Sequence, residues 1–364
     1  MSIYISGKPV NDDSPTLIIA EAGINHDGKI EQAFKLIDVA AAAGADVVKF
    51  QLFTASHMYP KTAGLYKTAN GEDAEIYSLI KDMELPETWI PRLIEKCTES
   101  GVGFLCTTCD EASTDLLSKY NVDSYKIASS EITYLPLLKH TAQYGKTIIL
   151  SEGASNISEI ATVIAPIKEV GNDNIVLMHC TAEYPAKLED CNVNVIETYR
   201  RLFPDLIIGF SDHTMEPSDA PIQAVLKGAK VIEKHITLDR NLPGADHCFA
   251  LEPDQLKKLV DDIRYAERHI STIREDSIIG GKTDKDVLPA EESLRKFVHR
   301  GIFASKDLQK GDVLTKENMV ILRPGNSENG IEPKYIDMLV DLKVKLNKDI
   351  KSNYPVKWED ILNI

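Results

Sequence analysis

A chain of 364 residues, 43% of them hydrophobic, can bury a large core and divide into one large and one small domain. Its net charge of -15 argues against non-specific nucleic-acid binding, which needs a surplus of Lys and Arg to neutralise phosphates. No apolar run approaches the roughly 18–20 residues of a membrane helix, and the start MSIYISGKPVNDD lacks the basic and apolar segments of a signal peptide, so a cytoplasmic protein with reduced cysteines is expected.

Short β-branched runs then alternate with stretches of helical period. LIIAEAG at Leu17 to Gly23 is followed by apolar residues at three and four spacing from Lys29 to Ala43. VVKFQ at Val47 to Gln51 precedes a helix-like stretch from Pro86 to Ser100, and FLCTT at Phe104 to Thr108 precedes another from Ala112 to Tyr120. YKIAS (Tyr125 to Ser129), TIILSEG (Thr147 to Gly153), IVLMHC (Ile175 to Cys180), IIGFSD (Ile207 to Asp212) and VIEKHIT (Val231 to Thr237) complete a set of eight. This alternation over roughly 250 residues predicts an α/β chain folded as a parallel (β/α)8 TIM barrel. An open doubly wound sheet fits less well, because no G-x-G-x-x-G follows the first run. The barrel domain is expected over residues 1–270, a charged, turn-rich linker over 271–292, and a small β-rich module over 293–364.

In such a barrel the reacting groups gather where strands end at the C-terminal face. Those ends offer Glu21, Asn25 and His26, then Lys49 and Gln51, then Lys126, Ser129 and Glu131. Ser151, His179, Thr181, Tyr184, Ser211, Asp212, His213, Lys234 and His235 follow, with Asp246 and His247 in the next loop. Two lysines on inward strands, Lys49 and Lys126, are costly unless they meet carboxylates or an anionic ligand. With the hydroxyls of Ser129, Ser151 and Ser211 they predict a phosphate and carboxylate cradle, while the competing account pairs them with Glu21 and Glu131. His213 and His235 fall at one level on neighbouring strands, where two imidazoles can share a divalent metal. Cys106-Thr-Thr-Cys109 lacks a second C-x-x-C and reads as two small buried residues. GGKT at Gly280 to Thr283 has no strand before it and is no phosphate loop.

The strings AEAGINHDG (Ala20 to Gly28), VVKFQ, YKIASSE (Tyr125 to Glu131), FSDHT (Phe210 to Thr214) and EKHITLDRNLPGADH (Glu233 to His247) together resemble the sialic acid synthase family. From about Ser293, KGDVL and ILRPGN (Ile321 to Asn326) resemble the antifreeze-like SAF module, a β-clip, that those enzymes carry. The resemblance implies a transferase that joins phosphoenolpyruvate, an open-chain N-acyl hexosamine and water into a nonulosonic (sialic-type) acid, releasing phosphate. The hexosamine would be N-acetylmannosamine or a diacetamido-trideoxymannose. His213 and His235 would hold Mn or Mg, and Glu21 would orient or deprotonate the attacking water. By the same resemblance Lys49, Thr107, Lys126, Ser129, Ser151 and Ser211 grip phosphoenolpyruvate, and Gln51, Glu131, Tyr184 and Asp246 contact the sugar. Phe297 and Arg323 match positions that reach the substrate from a partner subunit, which implies a domain-swapped homodimer.

Departures from the family pattern are local. Cys106 to Asp110 replaces a Ser-Thr-Pro-Phe-Asp run, SEGA at Ser151 to Ala154 puts Glu152 beside the anion site, and Ala182 stands where some members carry an asparagine. These bear on the choice of sugar. A related 3-deoxy sugar-acid synthase or aldolase, and a non-enzymatic ice-binding protein, are the alternatives, and the polar ring of the barrel favours catalysis.

Overall fold

The structure, a computed structural model, describes residues 3–67 and 73–361, so the outermost residues of the expected barrel and module spans lie outside it. Eight parallel strands close a barrel: β1 (Leu17–Gly23), β2 (Val47–Leu52), β3 (Gly103–Thr108), β4 (Ser124–Ile127), β5 (Thr147–Ser151), β6 (Ile175–Cys180), β7 (Ile207–Asp212) and β8 (Val231–His235). They pair in chain order, and β8 returns to β1 with Val231 beside Leu17 and His235 beside Glu21. Every residue of β1, β5, β6 and β8 is buried, as expected of strands sandwiched between a barrel core and a ring of helices.

Side chains alternate along a strand, so residues two apart share a face. Ile19, Val47, Leu105, Ile149 and Val231 belong to one apolar cluster inside the lower barrel. Two residues further along the same strands stand Glu21, Lys49, Thr107, Ser151 and Glu233. The interior is therefore apolar below and charged above.

The outer face packs against helices such as Ile30–Ala43, which buries Ile30, Ala33, Leu36, Ile37, Ala40 and Ala43 along one stripe. That helix stops at Gly44, whose φ of 85° lets its N–H reach back to the carbonyls of Ala40 and Ala41. The helix Pro253–Arg268 packs on it and completes the ring.

One element was not read from sequence. A hairpin of Ile3–Ile5 and Lys8–Val10 closes the bottom of the barrel, with Ile3, Ile5 and Val10 joined to the inner cluster. Its turn is held by the Asp123 carboxylate, which accepts from the N–H groups of Ser6 at 2.7 Å and Gly7 at 2.6 Å. The three-residue strands are too short to show a period.

At the other end, the segment after Pro253–Arg268 contains two short helical turns, Ile270–Thr272 and Ser277–Gly280, the second capped by the Asp276 side chain. A helix Glu292–Val298 leads into the C-terminal module, built on the antiparallel pair Gly301–Ala304 and Met319–Leu322. The module sits over the barrel mouth, where the N–H groups of Arg323 and Asn326 donate to the carbonyls of Met58 and Ala63, both at 2.8 Å.

Ile5 is fully buried in the plug. Ile5→Ala is expected to lower the unfolding free energy by about 2–5 kcal/mol in chemical denaturation. A loss well under 1 kcal/mol would show that the plug does not contribute to the core.

Candidate active site

The charged layer is a chain of alternating signs. Lys49 Nζ lies 3.1 Å from Glu21 Oε2 and 3.4 Å from Glu233 Oε2, and Lys126 Nζ lies 3.6 Å from Glu233 Oε1. Hydroxyls complete it: Lys49 donates to Thr107 at 3.0 Å, Ser211 donates to Glu233 at 3.0 Å, and Lys126 bonds Ser151. Ser129 stands at the edge, accepting from the Gly153 N–H at 2.9 Å. The lysines do find carboxylates, but Glu233 takes the place that the competing account gave to Glu131. Glu233 was not singled out in the sequence, although it lies two residues before His235 and so on the same face of β8.

Burial sets the protonation of this layer. It raises Glu21 above the ordinary carboxylate range, with repulsion from Glu233 adding to it. Burial works against the charges on Lys49 and Glu233 as well, yet Glu21 and Glu233 hold Lys49 up, and Lys126 and Lys49 hold Glu233 down to about 2. Lys126, with fewer compensating carboxylates, is pushed below the usual lysine value. A carboxylate poised above its normal range is suited to accept a proton near neutrality.

Above this layer His213 and His235 face each other, ring centroids 5.4 Å apart, flanked by Tyr184 at 4.2 Å from His213 and Phe249 at 4.9 Å from His235. His213 Nδ1 lies 2.9 Å from the Thr181 carbonyl, and since a carbonyl only accepts, that nitrogen carries the proton and Nε2 is left with a lone pair. His235 Nδ1 is buried without a hydrogen-bond partner, 3.6 Å from Asp246 Oδ2. Burial holds both imidazoles below their ordinary pKa and therefore neutral, the form that binds a cation. The pair fits a divalent ion. Among the described residues no group of three or more His, Cys, Asp or Glu side chains converges, so two imidazoles would be the protein's main share.

A cavity of about 240 Å³ opens over the layer. Gln51, Thr107, Ser129, Tyr184, His235 and Asp246 line it from the barrel, and Leu294, Val298, His299 and Arg323 line it from the C-terminal part of the chain. Gln51 also donates to Glu21 Oε1 at 2.8 Å, which ties the cavity wall to the charged layer. Asp246 is pushed up to about 7, by burial first and then by Glu21.

Several expected residues sit elsewhere. Glu131 is fully buried and accepts from Arg323 at 2.5 and 3.0 Å and from Arg300 at 3.2 and 3.3 Å, so it aims arginines rather than lining the cavity. Arg300 was not anticipated. Phe297 packs on Tyr59 with centroids 5.8 Å apart, behind the cavity. In this single chain both Phe297 and Arg323 reach the chain's own barrel mouth. Glu152 points away from the anion layer to His179 at 2.6 Å, Tyr199 at 2.8 Å and Lys285 at 2.8 Å. Burial opposes its charge, but Lys285 and His179 hold the carboxyl below the usual range. Lys234 faces outward and pairs with Asp212, and His247 bonds Thr237 and Asp27. Cys106 and Cys109 are both buried, with burial pushing their thiols up.

The NeuB family profile matches residues 36–275, and the SAF domain profile matches residues 299–362. The chain is 46% identical to the spore coat polysaccharide biosynthesis protein SpsE of Bacillus subtilis, over 99% of this chain and 97% of that one. The crystal structure of SpsE superposes with a TM-score of 0.89 at 44% identity, covering 100% of both chains. The N,N'-diacetyllegionaminic acid synthase of Legionella pneumophila is 37% identical over 97% of each chain. With a closed eight-stranded barrel, a capping module and both profiles in chain order, this protein belongs to the NeuB family and is a barrel enzyme carrying a C-terminal SAF domain.

Proposed function

We propose that this chain is a nonulosonic acid synthase, condensing phosphoenolpyruvate with an open-chain N-acyl hexosamine and water to release phosphate. The observation that carries this reading is the buried layer of Lys49, Lys126, Glu21 and Glu233 beneath a cavity whose lining includes Gln51 and Thr107, which bond to that layer. Phosphoenolpyruvate bears a carboxylate and a phosphate, and two lysines with the hydroxyls of Thr107, Ser129, Ser151 and Ser211 are donors for both. Glu233 between the lysines keeps them charged and apart. The methylene carbon attacks the sugar aldehyde, the aldehyde oxygen takes up a proton, and the cation left at the enol carbon is captured by water. Glu21, poised above its usual range, accepts the proton of that water, and the C–O bond to phosphate breaks. His213 and His235 would hold Mn or Mg, which when bound supplies Lewis acidity for the aldehyde oxygen.

The sugar side of the cavity is mixed. Gln51, Tyr184, Asp246 and Arg323 offer hydrogen bonds, whereas Ala154, Ala182, Leu294 and Val298 offer apolar wall. That wall suits the methyl groups of a diacetamido-trideoxymannose better than the extra hydroxyls of N-acetylmannosamine. The legionaminic acid synthase name of a relative with 37% identity supports the same choice. One observation favours a second reading: a lysine depressed by burial, as Lys126 is, is what a Schiff-base aldolase needs. Borohydride trapping with pyruvate separates the two, since the synthase forms no imine.

Purified protein with Mn and phosphoenolpyruvate is expected to release phosphate only when sugar is added, fastest with the diacetamido-trideoxymannose, and to stop on adding a chelator. A panel of that sugar, N-acetylmannosamine and its phosphorylated form is the assay; no release with any of them, or release indifferent to chelation, would overturn the reading or its metal. Lys126→Met should lower kcat about 10²–10³-fold, the usual cost of removing one preorganised donor to a developing charge. A variant with near wild-type kcat would remove Lys126 from the cradle. As a carboxylate, Asp246 accepts from a sugar hydroxyl, so kcat/KM for the sugar should rise as pH climbs through about 7. Asp246→Asn should flatten that step, and an unchanged profile would assign the inflection to another group.

A further inference from the structure

The ladder between β7 and β8 ends at Asp212 beside Lys234, one residue before each imidazole of the His213 and His235 pair. Neighbouring side chains on a strand point to opposite faces, so while the two histidines face each other above the lysine layer, Asp212 and Lys234 turn outward. There they meet as an ion pair, the side chains 1% and 2% exposed. Lys234 Nζ also donates to the Thr214 hydroxyl at 3.1 Å and to the Glu216 carbonyl at 2.5 Å. Asp212 reaches past the intervening histidine: one carboxylate oxygen accepts from the Thr214 N–H at 2.9 Å and the other from the Thr214 hydroxyl at 3.1 Å.

These contacts replace what the ladder no longer supplies. His213 lies beyond the last paired position of β7, and the residues on either side of it, Asp212 and Thr214, are both held by Lys234 of the neighbouring strand. The histidine itself is held from its other flank, where Nδ1 meets the Thr181 carbonyl and the His213 carbonyl accepts from the Ala186 N–H, both at 2.9 Å. On β8 the His235 carbonyl accepts from the Leu251 N–H at 2.8 Å. Two charges enclosed in this way contribute little net stability, since well-packed apolar side chains of similar volume usually serve at least as well. What the pair does supply is a fixed relation between two strands, and the next residue on each strand is an imidazole.

We propose that Asp212 and Lys234 are positioning residues that set the spacing of the His213 and His235 imidazoles and thereby their affinity for a divalent ion. The ring centroids stand 5.4 Å apart, and the two rings are the protein's main share of ligands to that ion. With so few donors, affinity depends on both lone pairs being aimed at one point before the ion arrives. Neither Asp212 nor Lys234 touches the ion or a substrate; each acts through the histidine that follows it in the chain. The inference rests on the metal assignment made above and deepens it.

Manganese binding to the purified protein, followed by the electron paramagnetic resonance of the free ion, tests this without turnover. The wild-type protein is expected to bind Mn and His213→Ala to lose it. If the wild-type protein binds no Mn, the metal assignment falls and this proposal falls with it. Lys234→Met alone strands a buried carboxylate and can prevent folding, so the deciding variant joins Asp212→Asn to Lys234→Met. That change removes both charges at similar volume and keeps an acceptor for the Thr214 N–H. The double variant is expected to melt near the wild-type temperature in metal-free buffer and to bind Mn about 10–100-fold more weakly, the usual effect of losing groups that orient metal ligands. Wild-type Mn affinity in the double variant would overturn the proposal while leaving the metal assignment intact, because His213→Ala still abolishes binding. A large drop in the metal-free melting temperature would overturn it too, since the pair would then hold the barrel as a whole rather than the imidazoles.

Discussion

Four ionisable side chains, Lys49, Lys126, Glu21 and Glu233, share the barrel interior with side-chain exposures of 1–5%. Taking such charges out of water costs several kcal/mol per ion, and an apolar core of similar volume would usually be at least as stable. The rest of the molecule is arranged around keeping them there. Parallel strands close completely, so no edge admits water beside Lys49, and the hairpin of Ile3–Ile5 and Lys8–Val10 seals the floor. Each ion touches one of opposite sign, and hydroxyls of Thr107, Ser151 and Ser211 satisfy what the ion pairs leave over. A charged layer retained at that cost suits the role proposed for it, a preorganised receptor for a polyanion.

A second arrangement couples the cavity roof to its floor. Glu131 follows β4 in the chain, the same strand that carries Lys126, and it grips Arg300 and Arg323 of the module. Arg300 is fully buried and donates further to the carbonyls of His57, Cys109 and Ile321. Removing Glu131 would strand two guanidinium groups away from water, which is why one carboxylate can dictate where a whole module rests. The C-terminal wall of the cavity thus depends on a carboxylate that does not itself line it.

Much of this was legible in the sequence, and the reasons differ by element. The eight barrel strands announced themselves because strands buried on both faces are continuous β-branched runs. The polar residues at their ends could be gathered into one site by the fold alone. The hairpin plug was not legible, since its three-residue strands are too short for a period and the Asp123 carboxylate that holds its turn lies far along the chain. Glu233 escaped because it shares its short strand with Lys234 and the more conspicuous His235. Glu152 was noticed as an acid beside an anion site, but which way it points is decided by Lys285, 133 residues later in the chain. Long-range pairs of this kind carry no local signature.

The junction of floor and cavity turns on a residue without a side chain. Gly23 ends β1 with φ of 52°, a left-handed conformation that disfavours any side chain. A Cβ there would also come within 3.2 Å of both Gln51 Nε2 and Glu21 Oε1 and within 3.4 Å of Asp246 Oδ2. The turn at Gly23 therefore does two things at once. It redirects the chain toward Asn25, whose amide bonds the Ile236 carbonyl behind His235, and it leaves open the space where Glu21, Gln51 and Asp246 converge. Three polar groups from three parts of the chain meet over one vacant Cβ position, beside the imidazole pair and above the lysines. Under the proposed reaction, that is where the reacting carbon would have to sit, within reach of the lysine layer and of the cavity together.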